Sequence, residues 1–189
     1  LKIDVRTNTH AEQILTDKSG RVVGLKVKGK DGTYTIHSKA VVDAAGGFGA
    51  NNEMVAKYVP RLKGFATTNH PGATGDGLLL AEKIGAQLIQ MDQIQTHPTV
   101  VPNVGEMITE AVRGNGAVLI NKEGKRFFNE LETRDKVSAA ILKQKDGVAY
   151  LFFDSDMQKS LKATNNYIKQ KYCLNGATLD EVAGKMGVP

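Results

Sequence analysis

The residues with the most evident chemistry are a histidine, a threonine, a glutamate and two arginines in one part of the chain. In order they are His97, Thr109, Glu110, Arg113 and Arg134. Imidazole and hydroxyl groups donate hydrogen bonds to carboxylate oxygens, and a planar guanidinium offers a fixed fork of donors that matches the same group. Glu110 and Arg113 are neighbours on one face if their stretch is helical. The set predicts a site that holds a small dicarboxylate and delivers a proton to it.

Each of these residues also has an ordinary structural explanation. His97 suits a loop in which the ring bonds to backbone, and Thr109 with Glu110 suits the start of a helix. Arg134 has carboxylates on both sides in the sequence, which is typical of exposed ion pairs that add little to stability. The order and spacing of the whole set favour the functional interpretation, and that interpretation is compatible with a helix cap at Thr109.

Glycines earlier in the chain predict a close approach of backbone to a ligand or to another strand. Residues 39–45 predict a buried strand, and Gly46 and Gly47 follow it without side chains. Asp76 lies between two glycines and opens a predicted helix that ends near Ile84. A turn is an equally ordinary setting for that aspartate.

Turn signals separate the remaining predicted strands and helices. These elements are a hairpin of residues 22–28 and 33–36, a helix of residues 52–58, a hairpin of residues 117–120 and 126–128, a helix from Thr133 or Asp135 to about Lys145, a strand of residues 148–153, a helix capped by Asp154 or Ser155, and a last short helix capped by Thr178.

The order of these motifs resembles the flavoprotein fumarate reductase and succinate dehydrogenase family, most closely its soluble, flavocytochrome c-like fumarate reductase branch. The matching segments are residues 41–48, 67–77, 94–99, 109–116 and 132–135, so the resemblance covers most of residues 1–155. Ala45 stands where the family usually has threonine, which removes one hydroxyl.

The resemblance implies an enzyme that reduces fumarate to succinate with a hydride from reduced FAD. His97, Thr109 and Glu110 would bind the substrate, and Arg134 would donate the proton, with Glu110 and Arg113 relaying protons from solvent. The implied flavin contacts are Ala11, Ala45, Gly46, Gly47 and Asp76.

The resemblance also implies a domain order, in an α/β and α+β fold. Residues 1–95 would be the rear part of an FAD-binding α/β domain, and residues 96–189 part of an α+β capping domain that closes over the substrate. The family's Gly-x-Gly-x-x-Gly turn is absent, and its later substrate histidine and arginine would lie beyond Pro189. The sequence therefore predicts an internal fragment of a larger flavoenzyme, inactive by itself and with FAD binding left open.

Composition is that of an ordinary globular protein, with 41% hydrophobic and 24% charged residues and a net charge of +5. No apolar run approaches the roughly 20 residues that span a bilayer, and no clustered basic stripe predicts nucleic-acid binding. Cys173 is the only cysteine, which excludes an intrachain disulfide, and no residues have zinc-ligand spacing, so no metal is expected. The electron donor, and the choice between cytoplasm and cell envelope, stay open.

Two other functions remain possible from the sequence. Within the same family, relatives reduce urocanate or cinnamate-like acids, although histidine at position 97 favours a dicarboxylate. Outside enzymes, a chain without the dinucleotide turn is equally an inert domain fragment or an interaction module. Flavin binding by the purified protein separates these classes.

Overall fold

A computed structural model describes residues 3–189, which form two compact units. One unit ends at Ile94 and the other is Gln95–Pro189. The first contains the strands β1 (His10–Thr16), β2 (Val22–Gly29) and β3 (Gly32–His37), the helices α1 (Asn52–Tyr58) and α2 (Asp76–Lys83), and a 3-10 turn (Pro60–Leu62). The second contains α3 (Glu110–Gly114), β4 (Val118–Ile120), α4 (Arg134–Leu142), a 3-10 turn (Lys145–Gly147), β5 (Tyr150–Phe152), α5 (Ser155–Ser160), α6 (Ala163–Lys169) and α7 (Leu179–Met186).

The sheet of the first unit is antiparallel, in the order β1-β2-β3. Gly29 pairs with Gly32, so a two-residue turn joins β2 to β3 and the predicted hairpin is confirmed. Alternation along the strands buries one face, where Val27 and Ile14 are 2% and 8% exposed. The α2 helix packs against β1.

The helix α1 forms because its sequence supplies a cap and an apolar stripe. The Asn51 side chain accepts a hydrogen bond from the backbone N–H of Met54 at 3.0 Å, which satisfies one of the free donors at a helix start. Val55, Val59 and Leu62 then form a small buried cluster. The predicted helices of residues 52–58 and 76–84 are both confirmed.

The predicted buried strand of residues 39–45 is wrong. Residues 40–47 are irregular, and Val42 is 89% exposed. An apolar run becomes a buried strand only when neighbouring strands take up its backbone hydrogen bonds, and among residues 3–189 no strand pairs with this one.

The core of the second unit surrounds β4, which pairs antiparallel with β5 through Leu119 and Leu151. Leu119 is 1% exposed and packs in one cluster with Val137 and Ile141 of α4. The predicted helix beginning near residue 134, the strand within residues 148–153 and the caps at Asp154 and Thr178 are confirmed.

The predicted hairpin between residues 117–120 and 126–128 forms only in part. Only one bridge joins Ile120 to Arg126. The Asn121 side chain accepts backbone hydrogen bonds from Glu123 and Lys125, which makes a tight loop rather than a two-stranded turn. Residues 127–128 instead pack on the Leu119 cluster, because burial of two phenylalanine rings outweighs continued pairing.

Within residues 3–189, no helix has the length and apolar character needed to cross a membrane.

We expect the core of the second unit to depend strongly on Leu119. Leu119→Ala should lower the free energy of unfolding by about 2–5 kcal/mol, because it removes buried methyl groups and leaves a cavity. Leu131→Ala, at a leucine that is 71% exposed, should change it by less than about 0.5 kcal/mol. Urea unfolding followed by circular dichroism measures both, and equal losses would contradict this packing.

Candidate active site

The loop between His97 and α3 is closed on itself, which brings the histidine to the start of that helix. Ile108 N–H donates to the Thr99 carbonyl at 2.8 Å, and the Thr99 hydroxyl donates to the Ile108 carbonyl at 2.7 Å. Val100 and Met107 form an antiparallel bridge in the same loop. The two ends of the loop, near Thr99 and Ile108, therefore lie side by side.

The His97 ring is held by its own loop and points one nitrogen at Glu110. Its Nδ1 accepts a hydrogen bond from the Thr99 N–H at 3.3 Å, which places the ring N–H on Nε2. Nε2 lies 3.1 Å from Glu110 Oε1, and the side chain is only 10% exposed. The two atoms are close but not aligned as a hydrogen bond, which leaves Nε2–H able to donate to another acceptor.

Thr109 is the N-cap of α3. Its Oγ1 accepts from the Ala111 N–H at 3.4 Å, which uses an oxygen lone pair and leaves the hydroxyl hydrogen for donation elsewhere. Its own backbone N–H donates to the Tyr167 hydroxyl at 3.1 Å. The predicted helix cap at Thr109 is confirmed.

Glu110 and Arg134 meet although they begin two different helices. Glu110 Oε1 forms an ion pair with Arg134 Nη2, and Arg134 Nη1 donates to the Gln95 side-chain oxygen. A hydrogen bond from its own backbone N–H lowers the pKa of Glu110, burial acts in the opposite sense, and Arg134 and His97 lower it further. The pKa of Glu110 is lowered overall, so the carboxylate is ionised at neutral pH.

Arg113 lies behind this pair and is only 5% exposed. Its Nη1 donates to the backbone carbonyl of Glu130, and its Nε has no hydrogen-bond partner in residues 3–189. Burial lowers the pKa of Arg113, and the nearby Glu110 carboxylate partly offsets that effect. A buried guanidinium nitrogen without a partner is costly and suits a place that a water or a substrate group enters.

Glu130 has a structural position that its sequence neighbours do not reveal. It is 2% exposed and accepts hydrogen bonds from the Leu119 N–H at 2.8 Å and from Arg126 Nε at 2.9 Å. Glu130 is therefore not an exposed ion-pair partner of Arg134. The Arg126–Glu130 spacing of four residues was the available signal for the pair that does form.

The second unit thus brings together the whole set of sequence-predicted substrate and proton-transfer residues: His97, Thr109, Glu110, Arg113 and Arg134. Sequence reasoning missed two contacts, those of Gln95 and Tyr167, because both are long-range. Among residues 3–189, no group of three or more histidine, cysteine, aspartate or glutamate side chains is placed to hold a metal ion.

In the first unit, the glycine loop of residues 45–49 lies against the start of α2. Gly75 N–H donates to the Gly47 carbonyl at 3.1 Å, and Ala45 N–H donates to Asp43 Oδ1 at 3.0 Å. A Cβ at Gly77 would lie 2.4 Å from the Asp43 carboxylate, so a larger residue there would displace the Asp43 side chain. The Asp76 side chain is exposed on the first turn of α2.

Comparison with known families matches residues 1–175 to the family described as FAD binding domain. The chain belongs to this FAD binding domain family.

Relatives of this FAD binding domain protein include named reductases. It is 54% identical over 167 residues to the fumarate reductase (cytochrome) of Shewanella frigidimarina, covering 88% of this chain and 29% of that protein. It is 45% identical over 159 residues to the urocanate reductase of Eggerthella lenta, covering 82% of this chain and 26% of that protein.

A solved structure gives the same result for the fold. The open conformation of a flavocytochrome c3 fumarate reductase superposes with a TM-score of 0.79 at 42% identity, covering 98% of this chain and 33% of that one. The chain therefore spans about a third of the length of the proteins it matches. The predicted α/β fold class and membership of the fumarate reductase flavoprotein family are confirmed.

The first unit has local features that fit the FAD of this family. Gly46 has a φ of +81°, and neither it nor Gly47 has any atom within 4 Å of the place where a Cβ would be. Open backbone of this kind lets a flat ring approach closely. Ala45 lies in this glycine loop and Asp76 begins α2, which the loop contacts. Ala11, by contrast, lies on β1 opposite Val27. These five flavin contacts stay predictions.

We expect Glu110 to contribute to acid sensitivity. Its folded-state pKa is lowered, so its contribution to stability is complete above the unfolded pKa of about 4.3 and is lost as pH falls through the lower folded value. Glu110→Gln should be less stable than the unaltered protein at pH 7. The two proteins should converge at low pH, where both side chains are neutral.

Urea unfolding at a series of pH values from 7 to 3 measures this difference. A stability gap that stays constant across the series would mean that the Glu110 charge has no favourable partner in the folded protein.

Proposed function

We propose that this chain is part of a flavoenzyme that reduces fumarate to succinate, with the second unit carrying substrate-binding and proton-transfer groups. The observation that carries the proposal is the Glu110 carboxylate held between the His97 ring and the Arg134 guanidinium. Relatives named as fumarate reductases support the same reaction.

Among the donors available in the site, we assign substrate binding to His97 and Thr109. The His97 Nε2–H and the Thr109 hydroxyl hydrogen donate to one carboxylate of fumarate. Hydrogen bonds to that carboxylate strengthen as negative charge builds on the substrate, so the same groups stabilise the transition state. His97 is 10% exposed, and its burial keeps these hydrogen bonds strong.

When bound, reduced FAD supplies a hydride to one alkene carbon of fumarate. Arg134 gives a proton to the neighbouring carbon, which completes the addition of two hydrogens and yields succinate. A free guanidinium holds its proton far more strongly than a carboxylic acid does, so transfer must be concerted with the build-up of carbanion character on that carbon. Glu110 and Arg113 return a proton to Arg134, through the Glu110 oxygen that already contacts it.

Urocanate reduction is the second candidate, because a urocanate reductase is 45% identical to this chain. Fumarate has a carboxylate at both ends, whereas urocanate has a carboxylate and an imidazole ring. The Nε2–H donor of His97 suits a carboxylate better than an imidazole ring at that end of the substrate. Steady-state rates with both acids decide between them: a higher kcat/KM for urocanate would replace fumarate as the substrate.

We expect Arg134→Lys to lower kcat for fumarate reduction by about 100- to 10,000-fold, the range for a positioned acid, while KM changes little. Lysine keeps the positive charge but loses the planar fork that reaches Glu110 and Gln95 together. The measurement is steady-state kinetics of the FAD-loaded holoenzyme with reduced dye as electron donor, paired with a titration of fumarate binding.

Arg61→Lys is the matched control, because Arg61 is exposed in the first unit and should keep normal kinetics. His97→Ala should weaken both binding and turnover, since its donor also holds the ground-state carboxylate. Near-normal turnover of Arg134→Lys would contradict the role of Arg134 as proton donor and would indicate a surface ion pair instead.

A further inference from the structure

The backbone of Thr109 is anchored by a tyrosine that comes 58 residues later in the chain. The Thr109 N–H belongs to the N-cap residue and takes no part in the hydrogen bonds of α3. Its partner is the Tyr167 hydroxyl of α6, at 3.1 Å. The hydroxyl oxygen accepts this bond, so a phenylalanine at position 167 would leave the N–H without it.

The Tyr167 ring is held firmly enough to act as an anchor. It packs against the buried cluster of Val112, Ala117 and Met157. Val112 belongs to α3 and is fully buried. The ring therefore packs on the cluster that includes Val112 of α3, while its hydroxyl contacts the residue that caps the helix.

The helix α3 needs such an anchor because it has only five residues. Isolated helices shorter than about 12–15 residues are marginal in water, so tertiary contacts must set the direction of α3. At its start the preceding residue Ile108 is fixed by Thr99, and Thr109 itself is fixed by Tyr167.

We propose that Tyr167 is a positioning residue for the reaction, acting through Thr109. It fixes the backbone of Thr109, and thereby aims the Thr109 hydroxyl at the substrate carboxylate. The kinetic part of this inference rests on the proposed reduction of fumarate, whereas the anchoring contact does not.

The test compares Tyr167→Phe with Tyr150→Phe, since each variant removes one hydroxyl and keeps the ring. Tyr150 is a matched control: it is half-buried in the same unit, and its hydroxyl donates at 2.7 Å to the Met186 carbonyl and not to a residue of the candidate site. A purely structural role would make the two variants alike.

Amide hydrogen exchange of the holoenzyme gives the readout that needs no substrate. Tyr167→Phe should speed exchange at Thr109 by about tenfold, the effect of losing one typical hydrogen bond, and Tyr150→Phe should leave Thr109 unchanged. Unchanged exchange at Thr109 in Tyr167→Phe would overturn the proposal.

Kinetics give the functional readout. Tyr167→Phe should lower kcat/KM for fumarate by about tenfold, and Tyr150→Phe by less than about twofold. In a Thr109→Ala background, the effect of Tyr167→Phe should also fall below about twofold, because the group that it positions is gone. Equal losses in the two phenylalanine variants, or a Tyr167 effect that persists without the Thr109 hydroxyl, would overturn the positioning role.

The two readouts separate this inference from the proposed function. Holoenzyme that fails to reduce fumarate, yet exchanges faster at Thr109 in Tyr167→Phe, contradicts the proposed reaction and supports the anchoring of Thr109 by Tyr167.

Discussion

One carboxylate oxygen, Oε1 of Glu110, sets the arrangement of the candidate site. It contacts both the imidazole of His97 and the guanidinium of Arg134, which come from a loop and from the start of a different helix. Glu110 and Arg134 are 34% and 42% exposed, and ion pairs at such exposure contribute only about 0–1 kcal/mol to stability. The contact therefore matters less for holding the fold than for holding two donors at fixed positions.

The position of that carboxylate depends on residues that do not contact it. Because α3 is too short to be stable alone, its place comes from the buried Val112 and from the closed loop between Thr99 and Ile108. Arg113 adds a hydrogen bond to the Glu130 carbonyl, and the Glu130 side chain is fixed in turn by Leu119 and Arg126. The core of the second unit and the candidate site are thus one connected structure.

The sequence predicted which polar side chains lie together better than it predicted the sheets, for a physical reason. His97, Thr109, Glu110, Arg113 and Arg134 form a pattern of residue types at fixed spacing, and such a pattern is visible in one dimension. The pairing of β4 with β5 has no such pattern in the sequence. Local turn signals at residues 121–124 resemble a hairpin, whereas burial favours pairing with a strand about 30 residues away. The strand predicted at residues 39–45 was wrong for a similar reason, since an apolar run does not specify which strand it pairs with. The contacts of Gln95 and Tyr167 had no local signal at all.

The shifted pKa values of Glu110 and Arg113 fit a proton relay only when Arg134 changes its charge. With Arg134 protonated, the lowered pKa of Glu110 keeps that carboxylate free of protons. If Arg134 gives its proton to substrate, as proposed, its positive charge no longer lowers the pKa of Glu110. Burial lowers the pKa of Arg113, which makes Arg113 a better proton donor to Glu110. In the proposed reaction, the same proton transfer that completes succinate therefore makes Glu110 a better base and starts the return of a proton to Arg134.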